Sequence, residues 1–371
     1  MIRMLVVVQT AMTLGIGEQV FLTGEADEMG RWAPDAVALT RVEDTRWETI
    51  LSFRATNASE FKVTRGTWET EEISAAGQVM GNRTVIPDDH GTLQIQVDAW
   101  KDSMTPTQSH ITGDVEFLPK VHSKFLEHDR DVLVWFPPGY AVHPTRRYPV
   151  LYMQDGRQVF DPGTSTWGKD WQVDETAQDL ILNGEVEPFI VVAADCTEAR
   201  GEEYDPSKKG DDYLRFLIEE LKPMVDATWR TDPERSSIAG SSMGGLISFY
   251  AAWRHPEIFS GAACLSPAFA KRFGQECFRM VEAGRDDLPN LKFFLSCGGA
   301  AGLEAQLMEG TLKMADLLRS VGFPEENLSV RIEGWAEHNE EAWARMTPHW
   351  LRFLYARPQL PVADPGMGKK E

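Results

Sequence analysis

Cysteine is scarce in this chain, and the spacing of the few cysteines excludes the familiar thiolate sites. The 371 residues contain Cys196, Cys264, Cys277 and Cys297, and no two of these have the C-x-x-C spacing of zinc and redox motifs. A chain of this length does not need disulfide bonds to hold its core, so we expect free thiols in a reducing compartment. The sequence predicts no metal site and no cofactor.

Basic residues are in the minority, and no apolar run is long enough to cross a bilayer. There are 37 lysines and arginines against 57 acidic residues, a net charge of -20. This charge disfavours nucleic acids and anionic membranes as partners. The first residues include Arg3 and an apolar run, but Gln9, Thr10 and Thr13 interrupt the run and no A-x-A cleavage site follows. The expected location is therefore the cytoplasm.

The first part of the chain, residues 1–100, has the pattern of an all-β domain. In "TLQIQV", Leu93, Ile95 and Val97 alternate with polar residues, and turn signals such as "TNAS" and "PDDHG" separate similar runs. This pattern predicts a small β-sandwich. The segment 101–109 is polar and contains a proline, so it is predicted to be a linker.

Residues 110–357 have a different pattern. Short apolar runs such as "YPVLYMQDG", "PFIVVAAD" and "LKFFLSCGG" are typical of buried parallel strands, and helical stretches lie between several of them. In one such stretch Leu307 and Leu312 are predicted to share a face, and Gly322 to close the helix. The pattern predicts an α/β domain with a mostly parallel sheet covered on both sides, followed by a flexible tail at 358–371.

A G-x-S-x-G turn, Gly240–Gly244, joins the strand-like "RSSIAG" to the helix-like "MGGLISFYAAWRH". A sharp turn of this kind holds the central serine in a strained conformation at the positive end of the following helix. Ser242 is therefore the predicted nucleophile, since its neighbour Ser241 is not at the central position. The N–H of Met243 is the predicted donor to a developing oxyanion. The alternative is a small-residue turn without chemistry.

A serine nucleophile needs a base, and three histidines follow Ser242 in the sequence. His338 lies in a loop after the strand-like "LSVRIEG", where this chain order places the base, and it is the predicted one. His255 precedes a proline at a helix end, and His349 lies within a terminal helical pattern. Both of these are predicted to be structural.

The third member of the triad should follow the strand-like "LKFFLSCGG", and Glu304 is the first carboxylate there. Asp316, well inside the next helix, is the poorer alternative. Glu304 also has a purely structural interpretation, because an acidic residue in the first turn of a helix is favourable with the helix dipole. A second oxyanion donor should follow an earlier central strand, and the backbone N–H of Arg157 after "YPVLYMQDG" is the candidate.

Together these segments resemble the Putative esterase family, which includes esterase D, the enterochelin esterases and the mycolyltransferases. The resemblance covers about residues 110 to 356, through "VWFPPGY", "YPVLYMQDG", "WGKDWQVDE", "AGSSMGGLISFYAAWRHPEIF" and "GWAEHNEEAW". It implies an α/β-hydrolase fold and metal-free acyl transfer. It also implies Ser242 as nucleophile, His338 as base, and oxyanion donors at Met243 and Arg157.

One departure from the family pattern concerns the acid. Many members have it in "G-T-x-E" or "G-T-x-D" after this strand, where this chain has Gly299, Ala300 and Ala301. The mycolyltransferase branch has its acid later, after a "CG" loop, which fits Glu304 in this chain. Either Glu304 completes the triad, or the protein is a weakened hydrolase.

The first part resembles the starch-binding type of carbohydrate module, through "VFLTGEADEMGRWAPDAVAL" and "EFKVTRGTWETEE". The resemblance implies a sugar-binding site formed by Trp32, Lys62 and Trp68. Exposed indoles cover the apolar faces of sugar rings, and a lysine bonds their hydroxyl groups. The alternative is that the two tryptophans are packed in a core.

The leading hypothesis is a serine esterase that hydrolyses a carboxylic ester, with an acylated or feruloylated saccharide suggested by the module. Its predicted partners are a small-molecule or saccharide ester and a polysaccharide. A second hypothesis is a non-catalytic carbohydrate-binding or interaction protein that keeps the fold, which Ala300 and Ala301 would favour. A third keeps the acyl chemistry but passes the acyl group to an alcohol instead of water.

Overall fold

The chain divides into two units, residues 1–107 and residues 108–371. Of the predicted linker 101–109, Lys101–Ser103 forms a 3-10 turn in the first unit, whereas residues 104–108 and the predicted tail 358–371 lie outside the described residues. The computed structural model describes residues 2–15, 17–74, 80–103, 109–166, 168–270, 273–284, 291–300 and 302–357.

The first unit is built from β-strands, as its alternating pattern predicts. In the described residues these are β1 Ile2–Thr10, β2 Phe21–Gly24, β3 Val37–Ala38, β4 Thr40–Glu43, β5 Arg46–Phe53, β6 Ser59–Thr64, β7 Glu72–Ile73, β8 Arg83–Val85, β9 Thr92–Val97 and β10 Ala99–Trp100. One sheet has the order β4-β5-β1-β9, a second has the order β3-β2-β6-β8, and β10 pairs with β7.

The two four-stranded sheets share one hydrophobic core. Val6 and Trp47 from the first sheet and Phe61 from the second belong to the same buried cluster. In β9 the predicted alternation is visible, because Ile95 and Val97 are buried while the intervening glutamines are exposed. The unit is therefore a small sandwich.

The second unit contains a mixed sheet of eight strands. Its strands are β11 Asp114–Val121, β12 Arg130–Phe136, β13 Tyr148–Met153, β14 Ile190–Ala194, β15 Thr231–Ser241, β16 Phe259–Leu265, β17 Lys292–Gly298 and β18 Leu328–Glu333. Their order is β11-β12-β14-β13-β15-β16-β17-β18. The pairs β11–β12 and β12–β14 are antiparallel, and the remaining neighbours are parallel.

Helices cover both faces of this sheet. They are α1 Val173–Leu182, α2 Arg200–Glu203, α3 Lys208–Arg215, α4 Lys222–Thr228, α5 Met243–Arg254, α6 Gln275–Glu282, α7 Leu303–Ser320 and α8 Glu340–Tyr355, and a π-helical segment, Phe216–Leu221, joins α3 to α4. Successive residues of β13 enter different cores: Val150 and Tyr152 pack in the cluster with α5, and Leu151 and Met153 in the cluster with α1 and α8. Burial on both faces explains why β13 is apolar throughout.

Helix α7 ends at Ser320, close to the predicted Gly322, but one residue of its predicted face is wrong. Leu307 is buried, whereas Leu312 is 41% exposed and Thr311 and Met314 face the core instead. A step of five residues turns a side chain by about 140° from the first, so it leaves the buried stripe. Within the described residues, no helix is both long and apolar enough to cross a membrane.

Candidate active site

Ser242 lies in a sharp turn between β15 and α5, at the carboxyl edge of the sheet. Its backbone has φ 56° and ψ -121°, a conformation that a non-glycine residue adopts only when its surroundings enforce it. The surroundings are tight, because a Cβ atom on Gly240 would collide with the carbonyl oxygen of Gly244. The small residues of the G-x-S-x-G turn are thus required by the close passage of the backbone.

Ser242 and Ser241 differ in their surroundings. Ser241 is buried within β15, paired with Leu265 of β16. Ser242 is partly exposed, its N–H donates to the carbonyl of Leu265 at 2.9 Å, and its own carbonyl accepts from Leu246 and Ala268 at 3.0 Å each. The backbone of Ser242 is thus held from both sides, and its hydroxyl group stands at the amino end of α5.

His338 and Glu304 are in direct contact, as the triad hypothesis requires. His338 lies between β18 and α8, and its Nδ1 is 2.5 Å from Oε1 of Glu304, the second residue of α7. The carboxylate is 2% exposed. Since Nδ1 is engaged with the carboxylate, Nε2 is the ring nitrogen left to accept a proton.

The second oxygen of Glu304 is also bonded. Oε2 accepts the N–H of Gly298 at 2.6 Å and the thiol of Cys297 at 3.0 Å. Burial on its own raises the pKa of Glu304, but the bonds and charge of His338, with further bonds from Cys297 and Ser266, bring that pKa below its ordinary value. The carboxylate is therefore held in its ionised form.

The contact of Trp343 and Ser266 next to His338 is not apparent from the sequence. The ring of Trp343 stands edge-on to that of His338 at 5.0 Å, and its Nε1 donates to the hydroxyl of Ser266 at 3.2 Å. Trp171 packs against Trp343 at 5.6 Å. Trp343 lies in the "GWAEHNEEAW" segment, so only its proximity to His338 in sequence could have indicated it.

The two predicted oxyanion donors lie at neighbouring strand ends. Met243 is the first residue of α5, and Arg157 is in a 3-10 turn that follows β13. β13 and β15 are parallel neighbours, and the N–H of Gln154 donates to the carbonyl of Ala239 at 3.0 Å. The first N–H groups of a helix have no acceptor within it, and Met243 and Arg157 both hold such early positions.

Two ion pairs hold the loop after β13 beside the serine turn. Arg200 forms a bidentate pair with Asp155 at 2.7 and 2.8 Å, and a Cβ atom on Gly244 would lie 3.1 Å from that carboxylate. The side chain of Arg157 is bonded to Asp195 at 2.8 and 2.6 Å. The partners are 45 and 38 residues apart in the chain, so no local motif could have indicated either pair.

The other two histidines after Ser242, and the alternative acid Asp316, lie away from this site. His255 follows the last residue of α5, at the end of a helix whose 12 residues span about 18 Å, and it pairs with Glu257. His349 contacts Arg331 at 3.0 Å, and burial together with that charge lowers its pKa. Asp316 pairs with Arg319 at the solvent-exposed end of α7. None of these three described side chains contacts Ser242 or His338.

In the first unit the structure brings two of the three predicted sugar-binding residues together. The rings of Trp32 and Trp68 are 6.5 Å apart and inclined by 40°, and both side chains are partly exposed. Trp32 has a positive φ of 69°, an uncommon conformation for an aromatic residue. Lys62 is buried, with its ammonium group 2.6 Å from Glu71. The indoles thus form a partly exposed pair rather than part of the core.

Comparison with known proteins gives a family match for each of the two units. The family model described as "Putative esterase" matches residues 123–357, and the one described as "Starch binding domain" matches residues 3–89. An "Uncharacterized protein YbbA" of Bacillus subtilis is 23% identical over 249 residues, 62% of this chain and 94% of that protein.

Two further relatives have descriptive names. An "Endo-1,4-beta-xylanase/feruloyl esterase" of Xylanibacter ruminicola is 27% identical over 272 residues, and the match spans 72% of this chain but only 32% of that protein. A solved structure of a ferulic acid esterase aligns with a TM-score of 0.55 at 22% identity, covering 66% of this chain and 98% of the other. At that identity the structural likeness shows the fold alone.

Proposed function

Because the chain belongs to the Putative esterase family, we propose that it is a serine esterase that hydrolyses a carboxylic ester. The observation that supports this most directly is the His338–Glu304 contact of 2.5 Å, at the same edge of the sheet as the Ser242 turn. We assign the second unit to the α/β-hydrolase fold. The six consecutive parallel strands from β14 to β18 and the serine turn after β15 favour that assignment.

In the proposed mechanism Ser242 Oγ attacks the ester carbonyl carbon, and its proton passes to Nε2 of His338. Glu304 holds the ring and stabilises the imidazolium that forms. The N–H groups of Met243 and Arg157 bind the oxyanion. The C–O bond of the ester then breaks, the alcohol leaves with the proton from His338, and the acyl group stays on Ser242. Water, activated by His338, releases the acid and restores the serine.

The substrate that we propose is a saccharide ester with an aromatic acyl group of the feruloyl type. Two observations support it: the relative named as a feruloyl esterase and the match of the first unit to a starch-binding module. The hypothesis of a weakened enzyme depends on Ala300 and Ala301. The carboxylate of Glu304, bonded to His338, supports the active enzyme over this alternative.

The proposal is tested with a fluorophosphonate probe and with ester substrates. We expect the probe to label Ser242 and not the Ser241 neighbour, as read from the modified peptide by mass spectrometry. We also expect hydrolysis of methyl ferulate and of feruloylated arabinose saccharides. Labelling that persists in Ser242→Ala would contradict the proposal. A product ratio that shifts from free acid to acyl saccharide when saccharide is added would instead identify an acyltransferase.

We further propose that Trp32 and Trp68 bind polysaccharide by stacking on sugar rings. The match to a starch-binding module and the partly exposed indole pair support this. Lys62 is expected to act indirectly, because its buried ammonium group is already bonded to Glu71.

Replacing Trp68 by alanine is expected to weaken binding to soluble starch or β-cyclodextrin by about tenfold, which corresponds to ~1.4 kcal/mol. Loss of one stacking face is the reason, and Trp32→Ala should have a similar effect. Isothermal titration calorimetry measures it. Ile50→Ala is the matched control, since Ile50 is 54% exposed on β5, in the sheet β4-β5-β1-β9. Equal loss in the control would show that the indoles are not the binding surface.

A further inference from the structure

A cluster of three carboxylates lies at the amino end of α1, apart from the residues of the proposed mechanism. Asp170, Asp174 and Glu175 each present an oxygen, and these three oxygens lie within 4.8 Å of one another. Asp170 is 6% exposed and Asp174 is fully buried. Glu175 is partly exposed, its side chain 34% accessible, but charged carboxylates this close to two buried ones repel each other unless something neutralises them.

The hydrogen bonds of the cluster leave buried oxygens without a partner. Oδ2 of Asp174 accepts the N–H of Thr112 at 2.6 Å, and Asp170 accepts the N–H of Gln172 at 2.9 Å. Oδ1 of Asp174 and Oε2 of Glu175 are both buried, and within the described structure no donor reaches either. Burying an unpaired carboxylate oxygen is costly, so these lone pairs point to a missing positive group.

The nearby basic side chains do not supply that group. Of the described residues, only His110 places a basic nitrogen within 4 Å of these carboxylates, 3.4 Å from the other oxygen of Glu175, and it is largely exposed. Lys169, next to Asp170 in sequence, is paired with Glu341 instead. Asp161 adds a fourth acidic group nearby, and its oxygens are occupied by Ser109 and backbone N–H groups.

We propose that Asp170, Asp174 and Glu175 bind a divalent cation of the oxygen-preferring class, Ca²⁺ or Mg²⁺, with water completing its shell. Oxygens bound to Ca²⁺ at 2.3–2.6 Å lie at most about 5 Å apart, and those around Mg²⁺ lie closer. The observed spacing of the three oxygens, within 4.8 Å, fits a Ca²⁺ shell directly, whereas oxygens around Mg²⁺ lie at most about 4.2 Å apart, so Mg²⁺ would draw the three carboxylates closer together. The carboxylates also provide the hard anionic ligands that both ions favour.

The cation would join two segments of the second unit. Thr112, bonded to Asp174, belongs to the stretch before β11, and the three ligands belong to the loop before α1 and to its first turn. Asp170 also precedes Trp171, which packs on Trp343 beside His338. Cation binding is therefore expected to stabilise the second unit, including the packing of Trp171 on Trp343 beside His338.

The test uses the full chain freed of metal by a chelator. Adding Ca²⁺ or Mg²⁺ in separate titrations is expected to raise the Tm by about 3–6 °C, and the ion with the larger rise at equal concentration identifies the preferred cation. Tb³⁺, a Ca²⁺ mimic, should show emission excited through Trp171, which adjoins the ligand Asp170 in sequence. Competing Ca²⁺ or Mg²⁺ should remove this emission.

Asp174→Asn is expected to abolish both the Tm rise and the Tb³⁺ emission, and Asp170→Asn provides a second variant should the first fail to fold. Glu325→Gln, an exposed acidic residue of another loop, is the matched control and should behave as wild type. The proposal is overturned if neither ion changes the Tm of the wild type. It is equally overturned if Tb³⁺ emission survives in the Asp170 and Asp174 variants. In either case a proton shared between Asp174 and Glu175 would be the neutralising group.

Discussion

Replacing Ser242 by alanine is expected to lower kcat on p-nitrophenyl acetate and methyl ferulate by a factor of about 10⁴ to 10⁶. The substitution removes the attacking oxygen and leaves the oxyanion donors and the substrate contacts in place. KM should therefore change little, and the effect should appear in kcat. Steady-state kinetics with a sensitive product assay measures both constants.

Ser241→Ala is the control for this experiment, because it removes the neighbouring hydroxyl group that is buried within β15. We expect its kcat to stay within about tenfold of wild type, since loss of one buried hydroxyl changes packing and not the reacting atoms. If Ser242→Ala kept more than about a hundredth of the wild-type kcat, Ser242 would not be the nucleophile.

Replacing Glu304 by glutamine is expected to lower kcat by about 10³ to 10⁴. The reason lies in the bonds of its two oxygens. Gly298 donates to Oε2, so the glutamine must turn its carbonyl oxygen there and its NH₂ group toward His338. Nδ1 of His338 then has to accept, which places the proton on Nε2, where the base must be free.

Asp316→Asn is the matched control for Glu304→Gln, since it makes the same chemical change on the same helix at a solvent-exposed position. Its kcat should equal that of wild type. If Glu304→Gln also kept full activity while Ser242→Ala lost it, the acid of the triad would lie elsewhere.

Glu304→Gln is also expected to change how the free energy of unfolding depends on pH. The pKa of Glu304 is lowered from its ordinary 4.5 in the folded protein, so the ionised carboxylate stabilises the fold at pH values above 4.5. This contribution fades as the pH falls through the lower folded value. The difference in free energy of unfolding between wild type and Glu304→Gln should therefore be largest near neutral pH and shrink in acid. Denaturant unfolding at several pH values measures it.

Local motifs in the sequence predict the framework of this site well. The serine turn, the histidine loop and the start of α7 each follow a strand, and parallel strands bring their carboxyl ends to one edge. For that reason Ser242, His338 and Glu304 could be named from the sequence, and the contact between the last two is present in the structure.

Features that depend on partners distant in the chain could not be predicted. A nearer case is Lys62, which follows the pattern of a sugar ligand, yet it is buried against Glu71, nine residues later and outside its strand. Trp343 and Ser266, which meet beside His338, are 77 residues apart. The carboxylate cluster near α1 has no cysteine, so a search based on thiolate spacing cannot detect it.

The way Glu304 is held also bears on how such sites change over evolutionary time. Its carboxylate is recognised by the N–H of Gly298, the thiol of Cys297 and the ring of His338. These three groups lie on β17 and in the loop after β18, and none of them is a residue next to Glu304 in sequence. A carboxylate from another position in the chain could therefore make the same three contacts, provided that it reaches them.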